Sequence, residues 1–401
     1  MKRGLSLLLF LLLSAHPGWS SRKVTVAQLQ DLLLSLHVDK KSDIETAAAL
    51  QQLELSEELT RSAMNSLAKL APGPLTTEQM FVLEARSAQL PPPAYDLPQT
   101  PAPDEAAQKT ILARAESFVA KTYALLPSLS AKKTTLRFQD NTEAIASSSG
   151  IASGAKDALT SSGTQSPGSF IHYINAAAHP VLLEHGAIKK TTAKDATRWG
   201  ANGLIRIPEP DPSLPHVFKE ARASTTLSWD RWENINGKAA AVFAFHVAKE
   251  QSKLEVNVCC FPEVEQAGVA RFYNSTTGPI LGSERGAGGG GVSGNFQTNT
   301  RWNNFKSSVP YHGRIYVDPE TGIVLRLIVE TELKPADVVH QLDTRIDYGP
   351  VKVGQGTYIV PISSLINSVV VPNGESGAGG YSTRTTLFSS EYSEYRPAQA
   401  N

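Results

Sequence analysis

The stretch GRIYVDPETGIVLRLIVETEL, Gly313–Leu333, contains the pattern that decides the fold. Beyond its DPETG turn, apolar side chains recur at every second position: Ile323, Leu325, Leu327 and Val329. Polar side chains such as Arg326 and Glu330 fall on the alternate positions. A two-residue period is typical of a strand with one apolar and one polar face. Because Pro319 and Gly322 suit a tight turn, the stretch predicts a long β-hairpin.

Similar signals surround this hairpin on both sides. Asn236-Gly237 separates two β-rich runs, 224–235 and 238–247, and this dipeptide is the strongest short-range signal of a hairpin. Further strands are predicted at 134–140, 253–261, 363–371 and 381–396, and residues 338–361 predict another hairpin with its turn at Gly354 and Gly356. The connections are short and almost free of helical pattern, so about nine or ten strands should form one antiparallel sheet.

The N-terminal part has a helical pattern instead. Between residues 21 and 90, leucines and alanines recur at the three- and four-residue spacing of an amphipathic helix. Start signals at Thr25, at Ser42 or Asp43, at Ser56 and at Thr76 predict four short helices in a small module. Neither a titratable cluster nor a glycine loop occurs there, so we expect a packed module that could present one face to a partner.

A proline-rich linker, residues 91–103, follows the module and favours extended polyproline II structure. Residues 104–126 then predict one strong amphipathic helix that lies on the sheet. The antiparallel β domain spans 130–397, with Ser/Gly-rich loops at 146–168 and 282–295. The predicted fold class is therefore α+β: a helical module, then a large, curved, half-barrel-like antiparallel sheet with a covering helix.

The first residues predict export. Lys2 and Arg3 precede the apolar run Leu5–Leu13 and the small residues Gly18 and Ser20, which is the pattern of a signal peptide over residues 1–20. No later run reaches about 18 apolar residues, so no transmembrane segment is expected. The expected location is the periplasm or the extracellular space.

The charge composition argues against nucleic acid as a partner. The chain has 38 basic and 38 acidic residues and no basic run, whereas binding to phosphate backbones needs clustered positive charge. The two cysteines, Cys259 and Cys260, are neighbours on a predicted strand, so their side chains should point to opposite faces and remain unbridged.

The sequence contains no complete local motif for catalysis, metal binding or cofactor binding. The glycines of GAGGGG at 286–291 have dinucleotide-loop spacing but lack the flanking strand and helix that such a loop needs. The nine histidines are scattered, and His246 is expected at the solvent-exposed edge of the sheet. We therefore predict no catalytic residue, no metal site and no cofactor. Asp343, Arg345, Asp347 and Tyr348 are interpreted as a solvated polar strand face.

Aromatic residues give the one candidate binding surface. A curved sheet leaves a concave apolar face, and such a face can hold an acyl chain or can be filled by core side chains. The candidate ligand-binding residues on that face are Trp229, Phe243, Phe245, Ile323, Leu325, Leu327 and Val329.

Two resemblances carry functional implications. The succession WDRWENINGKAAAVFAF, GRIYVDPETGIVLRLIVE and RIDYGPVKVGQGTYIVPISS resembles a recurrent set of exported bacterial proteins without an assigned activity. The YVDPETGIVLRL hairpin is also similar to the periplasmic lipoprotein-carrier fold of the LolA, LolB and RseB type. That second resemblance implies a half-barrel whose concave face binds acyl chains or lipoproteins without catalysis.

Three functional hypotheses follow. The first is a non-enzymatic exported envelope protein that binds a lipid, acyl chain or lipoprotein in the concave face. The alternative is an envelope scaffold or interaction protein whose β core is filled and whose helical module, residues 24–90, binds another envelope protein. A hydrolase with a dispersed site is a third hypothesis, and it requires a serine or cysteine within hydrogen-bond reach of a histidine.

Overall fold

A computed structural model describes the following residues: 22–139, 171–189, 212–224, 226–235, 237–262, 272–274, 278–280, 302–334, 337, 339–370 and 384–398. The predicted signal peptide at 1–20 and the Ser/Gly-rich loops at 146–168 and 282–295 lie outside these ranges.

The helical module contains four α-helices and one small parallel strand pair. The helices are α1 (Val26–Val38), α2 (Asp43–Gln51), α3 (Arg61–Leu67) and α4 (Pro74–Arg86), with a 3-10 turn at Ala68–Leu70. Strands β1 (Arg22–Val24) and β2 (Leu53–Leu55) pair in parallel. The module has its own apolar core, which includes Leu29, Leu33, Leu50, Leu59 and Met80.

Two of the four predicted helix starts are confirmed. Thr25 and Ser42 each form a capping box at the start of α1 and α2. Ser56 and Thr76 are wrong, because Thr60 caps α3 and α4 begins at Pro74. Proline is favoured at the first helical position, and the Asp43 carboxylate accepts the backbone N–H groups of Leu75 and Thr76 that would otherwise lack partners.

In the described ranges, two α-helices accompany the β domain. The linker contains a 3-10 turn at Ala94–Asp96 and leads into α5 (Glu105–Leu125), which Asp104 caps as its side chain accepts the N–H of Ala107. The second helix, α6 (Leu214–Ala223), was not predicted from the sequence. Its buried side chains still follow helical spacing: Leu214, Val217, Phe218 and Ala221.

The main sheet contains ten strands: β3 (Leu129–Gln139), β4 (His172–Glu184), β5 (Ala187–Lys189), β6 (Ser228–Ile235), β7 (Lys238–Val247), β12 (Tyr311–Val317), β13 (Val324–Thr331), β14 (Val339–Val353), β15 (Gly356–Val370) and β16 (Arg384–Pro397). All of them pair antiparallel, in the order β5-β4-β3-β16-β15-β14-β13-β12-β7-β6. The two end strands do not pair with each other, so the sheet is open. The predicted α+β class, with an open antiparallel sheet behind a helical N-terminal part, is confirmed.

Two strand pairs lie outside the main sheet, and two of the predicted strands differ from the structure. Strand β8 (Glu255–Pro262) pairs with β11 (Trp302–Ser308) and does not join β7 as the third strand of a meander. Strands β9 (Phe272–Asn274) and β10 (Gly278–Ile280) form a second ribbon. The predicted separate strand at 363–371 is the second half of the long strand β15.

The two faces of the sheet have different coverings. Helices α5 and α6 pack against one face, named here the inner face, through residues such as Ala115, Val119 and Phe218. The helical module packs against the opposite, outer face, where Phe81 stacks on Phe138 of β3 at a ring distance of 5.2 Å. The linker therefore passes from one side of the sheet to the other.

Candidate functional site

Four of the proposed ligand-binding residues lie in the apolar cluster between the inner face and helices α5 and α6. Phe243 and Leu327 have no exposed side-chain surface, and Phe245 and Val329 are almost fully buried. Trp229 is half-buried and packs edge-on against Phe243 at a ring distance of 5.7 Å. The surface predicted from the aromatic residues is thus one continuous cluster in contact with helix side chains.

Leu325 does not belong to this cluster, and the alternation predicted for the opening hairpin is wrong at that point. Strand β12 pairs Tyr316 with Arg326 but the next residue, Val317, with Val324. Leu325 is the extra residue of this β-bulge, so Val324 takes the inner-face position and Leu325 packs on the outer face. Ile323, half-buried, precedes the strand.

Helix α5 approaches the sheet closely enough to require glycine at two positions. A Cβ added to Gly322, in the DPETG turn, would lie 2.5 Å from the backbone carbon of Arg114 in α5. A Cβ added to Gly186, in the β4–β5 turn, would lie 2.0 Å from the Tyr123 ring. Both glycines have positive φ, which other residues rarely adopt. These contacts hold the two halves of α5 directly against the sheet.

The outer face carries a buried charged cluster, defined as Glu58, Glu233, Arg326, Arg345 and Asp347. Arg326 Nε donates to Asp347 Oδ1 at 2.6 Å, and Arg345 Nη1 donates to Glu58 Oε1 at 2.9 Å. Glu58 belongs to the helical module, whereas the other four residues lie on sheet strands. The interpretation of residues 343–348 as a solvated polar face is therefore wrong, because the module covers these charges. Tyr348 lies on the inner face instead.

The charges in this cluster are matched. Arg231 adds a third cation, since its Nε and Nη2 donate to Glu233 Oε2 at 3.1 and 2.8 Å. Burial alone would raise the pKa of Asp347, but the attraction of Arg326 and Arg345 outweighs it and holds that pKa well below its usual value. Burial and the nearby Glu58 carboxylate raise the pKa of Glu233. A cluster with three carboxylates and three guanidinium groups of this kind is a structural link between module and sheet.

A second buried acid, Asp343, lies on the same face, and no arginine of the described ranges pairs with it. Burial, with a smaller contribution from the charge of Glu330, raises the pKa of Asp343 to about 7. Gln341 Nε2 donates to its carboxylate, which opposes the rise, as does His312. A carboxyl group with a pKa raised to about 7 changes charge close to neutral pH, and the Asp343 side chain is buried.

The histidines among the described residues bear on the predictions about metal binding and hydrolysis. Over the described ranges, no group of three or more His, Cys, Asp or Glu side chains is arranged to hold a metal ion. His246 is half-exposed, as predicted, and pairs with Glu332 at 3.3 Å. Ser213 Oγ, immediately before α6, lies 3.1 Å from Nδ1 of His216 in the first turn of that helix, and no described carboxylate orients the other ring nitrogen. This pair lacks the third member of a hydrolytic triad.

The surface feature that sequence reasoning did not specify is an apolar corner on the helical module. We define it as Leu34, Val38, Ile44 and Leu75, four aliphatic side chains that stand in solvent, with Val38 74% and Ile44 70% exposed. Leu34 and Val38 are one turn apart on α1, and the α1–α2 turn brings Ile44 six residues later. Asp43, the neighbour of Ile44, accepts the N–H of Leu75. The signal in the sequence was the run LLLSLHV, which is apolar on more faces than one core requires.

Two further expectations concern the cysteines and the membrane. The side chains of Cys259 and Cys260 lie outside the part of the chain whose side chains the structure describes. Among the helices in the described ranges, none is long and apolar enough to cross a membrane.

Comparison with family models, curated proteins and solved structures finds no match to this chain.

Proposed function

We propose that this is a non-enzymatic exported envelope protein that binds another protein through its helical module. The observation that carries the proposal is the apolar corner, because exposed aliphatic side chains gathered on one small module are typical of protein interaction sites. The β domain would serve as a rigid platform to which the module is fixed by the charged cluster. This is the scaffold alternative, favoured here over the lipid-carrier hypothesis.

The packing of the inner face supports this preference. A carrier needs room for an acyl chain, and ligand sites commonly enclose about 300 Å³ or more. Here four of the candidate ligand-binding residues, Phe243, Phe245, Leu327 and Val329, share one apolar cluster with side chains of α5 and α6, and Gly322 lies against the α5 backbone. Binding a lipid at this face would require α5 to leave the sheet and expose its own apolar stripe to water.

The charges around the apolar corner favour a protein over an anionic membrane surface as the partner. Asp39, Lys40, Lys41 and Glu45 lie between or beside the corner residues, and they carry both signs. Lys41 and Glu45 neutralise each other through an ion pair of 3.0 Å. A membrane-binding patch needs an excess of basic residues, whereas an apolar centre with a mixed polar rim is usual for protein interfaces.

Site-specific crosslinking tests the proposal in cells that export the protein. A photoreactive amino acid is placed at Val38 or Ile44 and, as a matched control, at Leu125, which is 82% exposed at the end of α5 and outside the module. Discrete protein adducts are expected from the two corner positions and not from Leu125. The adduct should disappear when Leu75→Glu is added. Identical adduct patterns at all three positions, or adducts from none, would contradict the proposal.

A further inference from the structure

The proline-rich linker, residues 91–103, is held against β6, the strand at one edge of the sheet. Trp232 Nε1 on β6 donates to the backbone oxygen of Pro101 at 2.8 Å. Asn234, two residues further along β6, donates from Nδ2 to the backbone oxygen of Asp96 at 3.4 Å. The linker is thereby fixed where it passes from the outer to the inner side of the sheet.

A β-bulge builds the surface that the linker contacts. Strand β6 pairs Trp229 with Phe243 and Arg231 with Val242, so Asp230 is an extra residue. In a regular strand, side chains three residues apart point to opposite faces, but this bulge turns Trp229 and Trp232 to the same face. Their rings pack edge-to-face with centroids 4.9 Å apart. The result is a rigid aromatic pair with the Trp232 indole N–H directed toward the linker.

The indole N–H that donates to a backbone oxygen of the linker is one element of polyproline recognition. Proline-rich segments are extended before binding and present backbone oxygens as acceptors, while aromatic grooves supply apolar contact and donors such as the indole N–H. In the described part of the chain, no backbone hydrogen bond joins linker residues 96–103 to β6. Side chains of β6 therefore hold the linker, and it does not extend the sheet as an added strand.

We propose that the β6 edge, with Trp229, Trp232 and Asn234, is a binding site for extended proline-rich segments, and that the linker is its occupant in cis. The site is independent of the apolar corner. A tethered segment competes at an effective concentration on the order of millimolar. A free proline-rich peptide therefore binds in trans only when the linker is weakened as a ligand.

The test uses the full chain without the predicted signal peptide and a fluorescent peptide with the linker sequence PPPAYDLPQTPAP. In the double variant Pro98→Ser, Pro101→Ser, the linker loses its preformed extended structure, and saturable binding of the peptide is expected from fluorescence anisotropy. Wild type should show no binding at micromolar peptide. A control peptide with every proline replaced by serine should bind neither protein. Failure of the double variant to bind, or equal binding of both peptides, would overturn the proposal.

Trp232→Phe provides the matched change in the site. Phenylalanine keeps the apolar ring but lacks the N–H donor, so peptide affinity of the double variant should fall about fivefold, as for loss of one neutral hydrogen bond. In the otherwise native chain, the same substitution should speed amide exchange at Leu97, Gln99 and Thr100 of the linker while the thermal unfolding midpoint stays close to wild type. Unchanged linker exchange would overturn the proposal even if the double variant does not fold.

Discussion

Glu58 in the helical module accepts a hydrogen bond of 2.9 Å from Arg345 in β14, a residue 287 positions later in the chain. Both side chains are largely buried, and Arg326 lies 3.8 Å from the same carboxylate oxygen. This contact joins the module to the outer face of the sheet. It orients the apolar corner relative to the β domain, so the proposed interaction surface has a fixed orientation.

Replacement of Glu58 should weaken the link between module and sheet. Glu58→Gln keeps the side-chain shape but leaves the cluster with an excess of buried positive charge, and it should lower the free energy of unfolding by about 1–3 kcal/mol. Denaturant unfolding measures this change. The matched control is Glu105→Gln, which removes an exposed carboxylate paired with Lys109 and should leave the transition unchanged. Equal transitions for the two variants would refute the structural role of the cluster.

Close contact between the DPETG turn and α5 gives a second prediction. Gly322→Ala places a methyl group against the Arg114 backbone, whereas Gly237→Ala, at nearly the same φ, meets nothing within 4 Å. The Gly237 variant should lose only the conformational cost, about 1 kcal/mol. The Gly322 variant should lose at least about 2 kcal/mol more, because backbone atoms must move. Similar losses of stability for the two variants, measured by thermal unfolding, would show that α5 is not in close contact with the turn.

The β-bulge in β13 predicts unequal effects for two leucines of the same hairpin. Leu327 has no exposed surface in the inner-face cluster, so Leu327→Ala should cost about 2–5 kcal/mol of stability. Leu325 is half-buried on the other face, and Leu325→Ala should cost about 1 kcal/mol or less. Denaturant midpoints of the two variants compare them directly. Equal costs would restore the strict alternation and contradict the bulge.

Asp343 should make stability depend on pH. Its pKa is raised to about 7 by burial, with Glu330 adding to the rise. Between about pH 4 and 7 the folded state binds a proton that the unfolded state has lost, so this group lowers stability as the pH rises through that window. Asp343→Asn should match wild type at pH 4 and exceed it by roughly 2–4 kcal/mol at pH 8. An equal difference at both pH values would show that folding does not raise the pKa of Asp343.

Local signals explain which elements could be predicted from the sequence. The turns Asn236-Gly237 and DPETG depend on the backbone preferences of their own residues, and both join the strands expected. Thr25, Ser42 and Asp104 cap their helices because capping needs only a side chain and a neighbouring N–H. Helix α6 had an equally local signal, Pro215 at its start and a regular apolar stripe.

Partners distant in sequence explain the errors. The bulges at Leu325 and Asp230 depend on how the facing strand aligns, which no single strand encodes. Arg326 and Asp347 have the polar character of a solvent-facing strand, and their burial comes from a module that begins about three hundred residues earlier. The apolar corner was hidden in a leucine-rich helix whose buried and exposed leucines can be separated only when its packing is known.

Native mass spectrometry of protein isolated from the compartment to which it is exported tests the central claim most directly. A filled inner face beneath α5 and α6 predicts the mass of the polypeptide alone, with no lipid or acyl adduct under gentle ionisation. A bound lipid that is released only when the protein is denatured would contradict the filled core. The inner face of the sheet would then be a ligand site.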